Sequence, residues 1–334
     1  MEVGLFFSFR NPAPFARRWS GVYRNTLDQV VAAEERGFDA VWLGEHHFTD
    51  DGFSSSPLTV AAAVAARTQR VQIGTYVLLL PLYDPVRLAE EAATVDILSD
   101  GRLVLGLGLG YRPEEYDVLG IPHAERGARM EEGLEILLRA FAENEFSFEG
   151  RFHRYTRVAM SPKSESRARP RILIGGSSEA MLRRAARLGC DGLALQPPPA
   201  LHRRYLELLE EYGRDASEAR YHPMVLGFVG ETDDIAWDIA QRHANFERDQ
   251  YNRWWRSAGV PALFPNGARE DFVIGSPARW LEAVPAFLGA GEGVPCHHLV
   301  VQLTTSGMEH RLAMDAIERF ATDVLPELRR LEVP

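Results

Sequence analysis

Short apolar runs recur along the chain, each followed by a stretch with helical periodicity, and this alternation is the mark of parallel βα units. Eight runs are predicted as strands: residues 3–8, 40–44, 71–78, 103–108, 171–174, 192–196, 224–229 and 298–303. They are apolar throughout rather than alternating, as strands covered on both faces are. The intervening helices carry start and stop signals. Asp84-Pro85 opens one that Gly101 closes, and Ser177-Ser178 opens another that runs to Gly189. Two stretches fall outside the pattern, 145–170 and 250–276. Trp254-Trp255, two prolines and Asn266-Gly267 interrupt the second, so both are predicted as long loops and 250–276 as a mobile lid. Eight units without a break in composition predict an α/β chain of one domain, 1–334. The expected fold is a single (β/α)8 TIM barrel with long loop insertions at its C-terminal rim.

Composition narrows the class of partner. Of 334 residues, 46% are hydrophobic and 25% charged, the balance of an ordinary soluble globular protein. The longest apolar stretch, around Tyr76 to Leu80, is far short of the ~20 residues of a membrane span, and the start of the chain lacks a basic-then-apolar layout. No membrane association and a cytoplasmic address are therefore expected. Cys190 and Cys296 are too few and too distant for a disulfide framework or a zinc site, so both are expected to be reduced and buried, with no metal. A formal charge of −10 disfavours nucleic acid, whose binding depends on concentrated positive charge. A small molecule is the expected partner.

In a barrel the chemistry sits where strands end, and four places qualify. Glu45-His46-His47-Phe48 follows the apolar run AVWLG; two imidazoles beside a carboxylate can donate or accept a proton near pH 7, or can be structural. Successive strand residues face opposite sides, so His46, in phase with Trp42 and Gly44, is expected to face the cavity and His47 to face away. The second place is GLGLGYRPEE, residues 106–115. Its glycines allow a flat ring or phosphate to approach the backbone, or simply allow tight packing, and the G-x-G-x-x-G spacing is absent. The third, Gly175-Gly176-Ser177-Ser178, opens a helix, where exposed N–H groups make an anion site and a serine makes an ordinary cap. The fourth, residues 74–81, reads by itself as a buried strand ending at Pro81.

Taken together, these pieces resemble the bacterial luciferase and alkanal monooxygenase family. The likeness runs through GFDAVWLGEHHFTDDG (37–52), the stretch from Val71 to Gly110, ILIGGSSEAMLRRAARLG, FVIGSPARWLEAV and ATDVLPELRRL, and so covers nearly the whole chain. It implies an enzyme that uses reduced FMN and O2, in which a C4a-hydroperoxide of the flavin oxygenates a second substrate. It makes His46 the acid/base residue, beside Glu45, and places a non-prolyl cis peptide at Tyr76-Val77 beneath the flavin ring. Cofactor-binding residues on this likeness are Thr75, Tyr76, Val77, Gly108, Leu109, Gly110, Tyr111, Arg112, Gly175, Gly176, Ser177, Ser178 and Gln196. Two positions depart from luciferase alpha subunits. The arginine that holds the FMN phosphate there is Leu109 here, which shifts that task to 175–178 or Arg112, and the reactive cysteine is Gly108. Both changes weaken any expectation of light emission.

Two rival readings stay open: an F420-dependent hydride-transfer enzyme on the same barrel, and a non-catalytic flavin-binding subunit. The motif from Glu45 to Phe48 favours FMN, and His46 counts against an inert subunit. With no dinucleotide fingerprint, reduced FMN is expected from a separate NAD(P)H:flavin reductase. A homodimer or related oligomer is expected as well. The segments 9–19 and around Trp254-Trp255 look apolar and aromatic, which leads to the expectation of a hydrophobic organic substrate.

Overall fold

The computed structural model describes residues 1–165, 168–176, 178–194, 199–217, 219–288 and 296–331. The chain divides into two compact units. One comprises residues 1–55, 111–113 and 221–334; the other comprises 56–110 and 114–220.

The first unit is built on five parallel strands in the order Ala40–Leu43, Glu2–Phe7, His298–Gln302, Met224–Val229, Val273–Gly275. Register is set by pairs such as Gly4 with Ala40 and Glu2 with His298. Leu5, Val41, Leu43, Val300 and Val301 are at most 2% exposed, as continuously apolar strands require. Burying each such side chain is worth about 1.5–3 kcal/mol. Within this core Trp42 Nε1 donates to His298 Nε2 at 3.0 Å, which leaves His298 Nδ1 to donate to Glu2 Oε2 at 3.0 Å. The indole and imidazole fit there because residue 4 has no side chain: a Cβ on Gly4 would lie 2.6 Å from Trp42 Nε1.

The second unit carries the parallel strands Gln72–Thr75, Leu103–Gly108, Arg171–Gly175 and Gly192–Ala194, with the short Leu78–Leu79 also paired to Leu103–Gly108. The helix Pro85–Leu98 starts as expected, with Asp84 Oδ1 accepting from Val86 and Arg87 N–H at 3.0 Å each. Helix Glu179–Leu188 ends at Gly189, which takes the left-handed conformation at φ 72°.

The expected strands 103–108 and 224–229 appear with those bounds. Three sequence expectations need correction. The strand expected at 71–78 is split by a cis peptide at Tyr76-Val77. The stretch 145–170 contains an antiparallel hairpin, Phe146–Glu149 with Arg154–Val158. The stretch 250–276 is not an irregular loop, because the helix Asp233–Ser257 runs through Trp254 and Trp255, followed by helix Ala268–Asp271 and strand Val273–Gly275. The physical reason lies in what the long helix buries. Ala236, Ala240, His243, Ala244, Glu247, Gln250 and Trp254 are its buried residues, spaced as a helix requires, but three of them are polar, so apolar periodicity hides the face.

Candidate active site

The strand Ala40–Leu43 delivers Glu45-His46-His47-Phe48 to the loop beyond its C-terminal end, and the chain returns through Asp51 and Phe53. His46 is 7% exposed. Its backbone N–H bonds to Ser54 O at 3.2 Å, which ties the two limbs of the loop together. Its ring is walled by Phe53, Tyr111 and Trp254, with centroids 4.8, 5.4 and 5.0 Å away. Tyr111 Oη lies 3.4 Å from His46 Nε2, at the outer limit of a hydrogen bond. His47 turns to other partners: Nε2 lies 2.9 Å from Glu45 Oε1, and its carbonyl accepts from Arg112 Nη1 at 2.8 Å. The adjacent imidazoles thus diverge, in a loop rather than on the strand, which ends at Leu43. Arg112, weighed in the sequence as a phosphate ligand, is buried with its guanidinium 4.8 Å from the centroid of Trp254.

Beside this aromatic wall lies an ionic cluster that the sequence reading missed. The Arg10 side chain is 0% exposed and its Nε is 2.6 Å from Asp51 Oδ2. Glu247, also fully buried, stands 3.6 Å from Arg10 Nη1 and accepts from Gln302 Nε2 at 2.8 Å and from Ser306 N at 3.0 Å. Four rim segments therefore converge on one carboxylate and one guanidinium. Phe53, Phe246, Tyr251 and Trp254 surround the Arg10 guanidinium at 5.3–5.9 Å. Burial by itself would lower the Arg10 pKa, but Glu247 and Asp51 outweigh it and hold the group above its ordinary value. Burial, reinforced by Glu247, likewise pushes the Tyr251 phenol up. Helical spacing of His243, Glu247 and Gln250 was the one local signal for this cluster. Nothing in the sequence marks Arg10 and Asp51, 41 positions apart, as partners.

In the second unit, the Tyr76-Val77 cis peptide follows Thr75, whose Oγ1 donates to Gly106 O at 2.8 Å. A Cβ on Gly106 would lie 2.1 Å from Thr75 O, and one on Gly108 would lie 2.5 Å from Val77 Cγ2. Packing against the bent strand thus accounts for both glycines. Gly110 adopts φ 71°, and Leu109 O accepts a short bond from Tyr116 Oη. Gly175 ends its strand, Gly176 takes φ 136°, and Ser178 caps helix Glu179–Leu188 through a 3.3 Å bond from Met181 N to its Oγ. The N–H groups of Met181 and Leu182 also reach Ser178 O, whereas those of Glu179 and Ala180 have no partner among the described residues. Ser177 and Gln196 lie outside the described residues. No group of metal-ligating side chains occurs among the described residues, and no helix there is long and apolar enough to cross a membrane.

Comparison with known proteins covers the whole chain. The model of a family described as luciferase-like monooxygenase matches residues 1–291. Two uncharacterized proteins of Sinorhizobium fredii are 36% and 31% identical over 51% and 65% of this chain, and the chain spans only 48% and 65% of their own lengths. The oxygenase component of the flavin-dependent trigonelline monooxygenase of Acinetobacter baylyi is 22% identical, over 93% of this chain and 91% of that protein. Among solved structures, a monooxygenase of Streptomyces bottropensis is similar at TM-score 0.82 and 27% identity, covering 98% of this chain and 100% of its own. The oxygenating constituent of 3,6-diketocamphane monooxygenase of Pseudomonas putida, in complex with FMN, follows at 0.80 and 20%, covering 100% and 99%. An F420-dependent secondary alcohol dehydrogenase gives 0.75 and 17%, covering 97% and 98%. The fold is α/β and of the (β/α)8 type that these enzymes share.

Proposed function

The chain belongs to the luciferase-like monooxygenase family, and we propose that it is an oxidoreductase that uses reduced FMN and O2 to oxygenate a small organic substrate. The observation that carries the reading is His46, buried within an aromatic wall and close to the Tyr111 hydroxyl, with His47 and Glu45 engaged with each other. When bound, reduced FMN supplies the electrons that activate dioxygen. His46 Nε2 then gives or takes a proton, while Phe53, Tyr111 and Trp254 fix the ring and keep bulk water from it.

On this reading the FMN phosphate binds ahead of helix Glu179–Leu188. Glycine at 176 removes the side chain ahead of helix Glu179–Leu188, and the N–H groups of Glu179 and Ala180, which have no partner among the described residues, suit an anion. We infer that a separate reductase supplies the reduced flavin, a reading supported by the Acinetobacter relative being the oxygenase component of a flavin-dependent monooxygenase. Formation of an oxygenated product from substrate, reduced FMN and O2 tests the reading. Hydride transfer to F420 without oxygen uptake would overturn it. Replacing His46 with Ala is expected to slow single turnover with pre-reduced FMN by roughly 10²–10⁴-fold, and His47→Ala by less.

A further inference from the structure

The segment that follows strand Glu2–Phe7 is stitched to the loop that carries His46. Ser8 O accepts from Ser54 N at 3.0 Å and Asp51 O accepts from Asn11 N at 2.8 Å; between these two backbone bonds Asp51 Oδ2 accepts from Arg10 Nε at 2.6 Å. Phe9 stands at φ 55°, a left-handed conformation that a bulky residue adopts only at a cost, and Arg10 follows it with its side chain fully buried. Its charge is matched by Asp51 from the loop on one side and by Glu247 from helix Asp233–Ser257 on the other. A planar guanidinium held between two elements acts as a brace. The brace meets the same rings that wall the histidine. Phe53 lies 4.8 Å from the His46 ring and 5.5 Å from the Arg10 guanidinium, and Trp254 lies 5.0 Å and 5.3 Å from the same two groups. Phe53 follows Asp51 in the loop and precedes Ser54, whose carbonyl accepts from His46 N. Trp254 follows Glu247 by two helical turns, so both fall on the buried face of the helix. Each carboxylate partner of Arg10 thus sits on the element that presents one wall of the His46 ring.

We propose that Arg10 is a positioning residue for His46: through Asp51 and Glu247 it locks the loop 45–54 to helix Asp233–Ser257, so that Phe53 and Trp254 hold the imidazole in one orientation. A proton is passed efficiently only from a fixed nitrogen, and a misplacement of about 1 Å can cost roughly 10²-fold in rate. That consequence for turnover rests on the reaction proposed above, whereas the immobilisation of the ring does not.

Asp51→Ala removes the loop's half of the brace yet leaves Arg10 beside Glu247, so no buried charge is stranded, and Asp51→Asn, which keeps an acceptor for Arg10 Nε, is the conservative rescue. The probe is diethyl pyrocarbonate, which acylates neutral imidazole, applied to the full chain without flavin. Peptide mass spectrometry reads the rate at each histidine, and fragment ions separate His46 from His47. In Asp51→Ala the rate at His46 should rise about tenfold or more, the factor that a lost charge-assisted hydrogen bond corresponds to, while fully buried His298 of the same unit keeps its parent rate. A general loosening would instead raise both histidines together. Asp51→Asn should stay near the parent. Arg10→Lys, which keeps the charge and loses the planar fork, should behave as Asp51→Ala does and decides the matter if that variant's melting curve shows it unfolded. Single turnover with pre-reduced FMN should slow by roughly 10–10²-fold in either variant, with little change in flavin affinity. An unchanged rate at His46, rates at His46 and His298 that rise in step, or Asp51→Asn matching Asp51→Ala would each overturn the positioning role. A chain whose His46 is freed in this way yet forms no oxygenated product with reduced FMN and O2 keeps the positioning and refutes the reaction. One that forms product with His46 equally protected in the folded variants does the reverse.

Discussion

Removing the Glu247 carboxylate by Glu247→Ala probes the buried cluster on stability alone. The residue is fully buried and accepts from Gln302 Nε2 and from Ser306 N and Oγ at 2.8, 3.0 and 3.2 Å, beside the Arg10 guanidinium. Breaking a buried ion pair from one side costs about 3–5 kcal/mol, because the remaining charge is left uncompensated. Arg10 keeps Asp51 at 2.6 Å, so the low end, about 3 kcal/mol, applies. At roughly 2.1 cal/mol/K per residue, 334 residues unfold with an entropy of about 0.7 kcal/mol/K, and the loss translates to a fall in Tm of about 4 °C. Differential scanning calorimetry at neutral pH reads it directly. Adding Arg10→Met should cost less than the sum of the two single changes, since the stranded charge is gone. A Glu247→Ala protein melting within 1 °C of the parent, or strict additivity in the double variant, would refute the reasoning.

Burial pushes both the Cys190 and the Cys296 thiol up to about 12, so neither should react with a thiol reagent at pH 8 until the protein is denatured, when both should. A Cβ at Gly106 would meet Thr75 O at 2.1 Å, whereas one at Gly21, inside helix Trp19–Glu35, meets nothing. Gly106→Ala should therefore lower stability by about 2–3 kcal/mol and Gly21→Ala raise it by about 0.5–1, as urea titration will show. Burial holds His153 and His243 below the ordinary histidine range, so below about pH 6.5 the unfolded chain binds protons that the folded chain refuses. Their contribution to stability is complete above that pH and declines as the pH falls toward the folded values. The decline should flatten in His153→Gln/His243→Gln, and an unchanged slope of stability against pH would exclude these groups as its source.

The framework was legible because continuous apolar runs have few fates other than buried strands, and 103–108 and 224–229 emerged with the expected bounds. Parity counted from Trp42 selects His46, but the strand ends at Leu43, and the loop that sets both imidazoles depends on contacts with Phe53, Tyr111 and Trp254. The Tyr76-Val77 cis peptide came only from family likeness; the residues themselves read as a plain strand. The helix through Trp254 was hidden because its inner face carries His243, Glu247 and Gln250, buried for the sake of distant charges. Arg10 illustrates the limit most clearly. Its partners stand at positions 51 and 247, and pairing over such separations leaves no periodic trace in the sequence.

The first unit is assembled from segments far apart in the sequence, with Glu2–Phe7 hydrogen-bonded between Ala40–Leu43 and His298–Gln302. On the ribosome this has a temporal meaning. The second unit ends at residue 220, so its sequence is complete before the strands Met224–Val229 and His298–Gln302 of the first unit have been made. Through that interval Glu2–Phe7 has one neighbour of its final two, and its other edge stays open to any strand that passes. Nascent chains stalled near residue 260 should therefore show protease protection over 114–220 but cleavage within the first 50 residues. The early-made segment would owe its safety in the cell to chaperones until the last strand emerges.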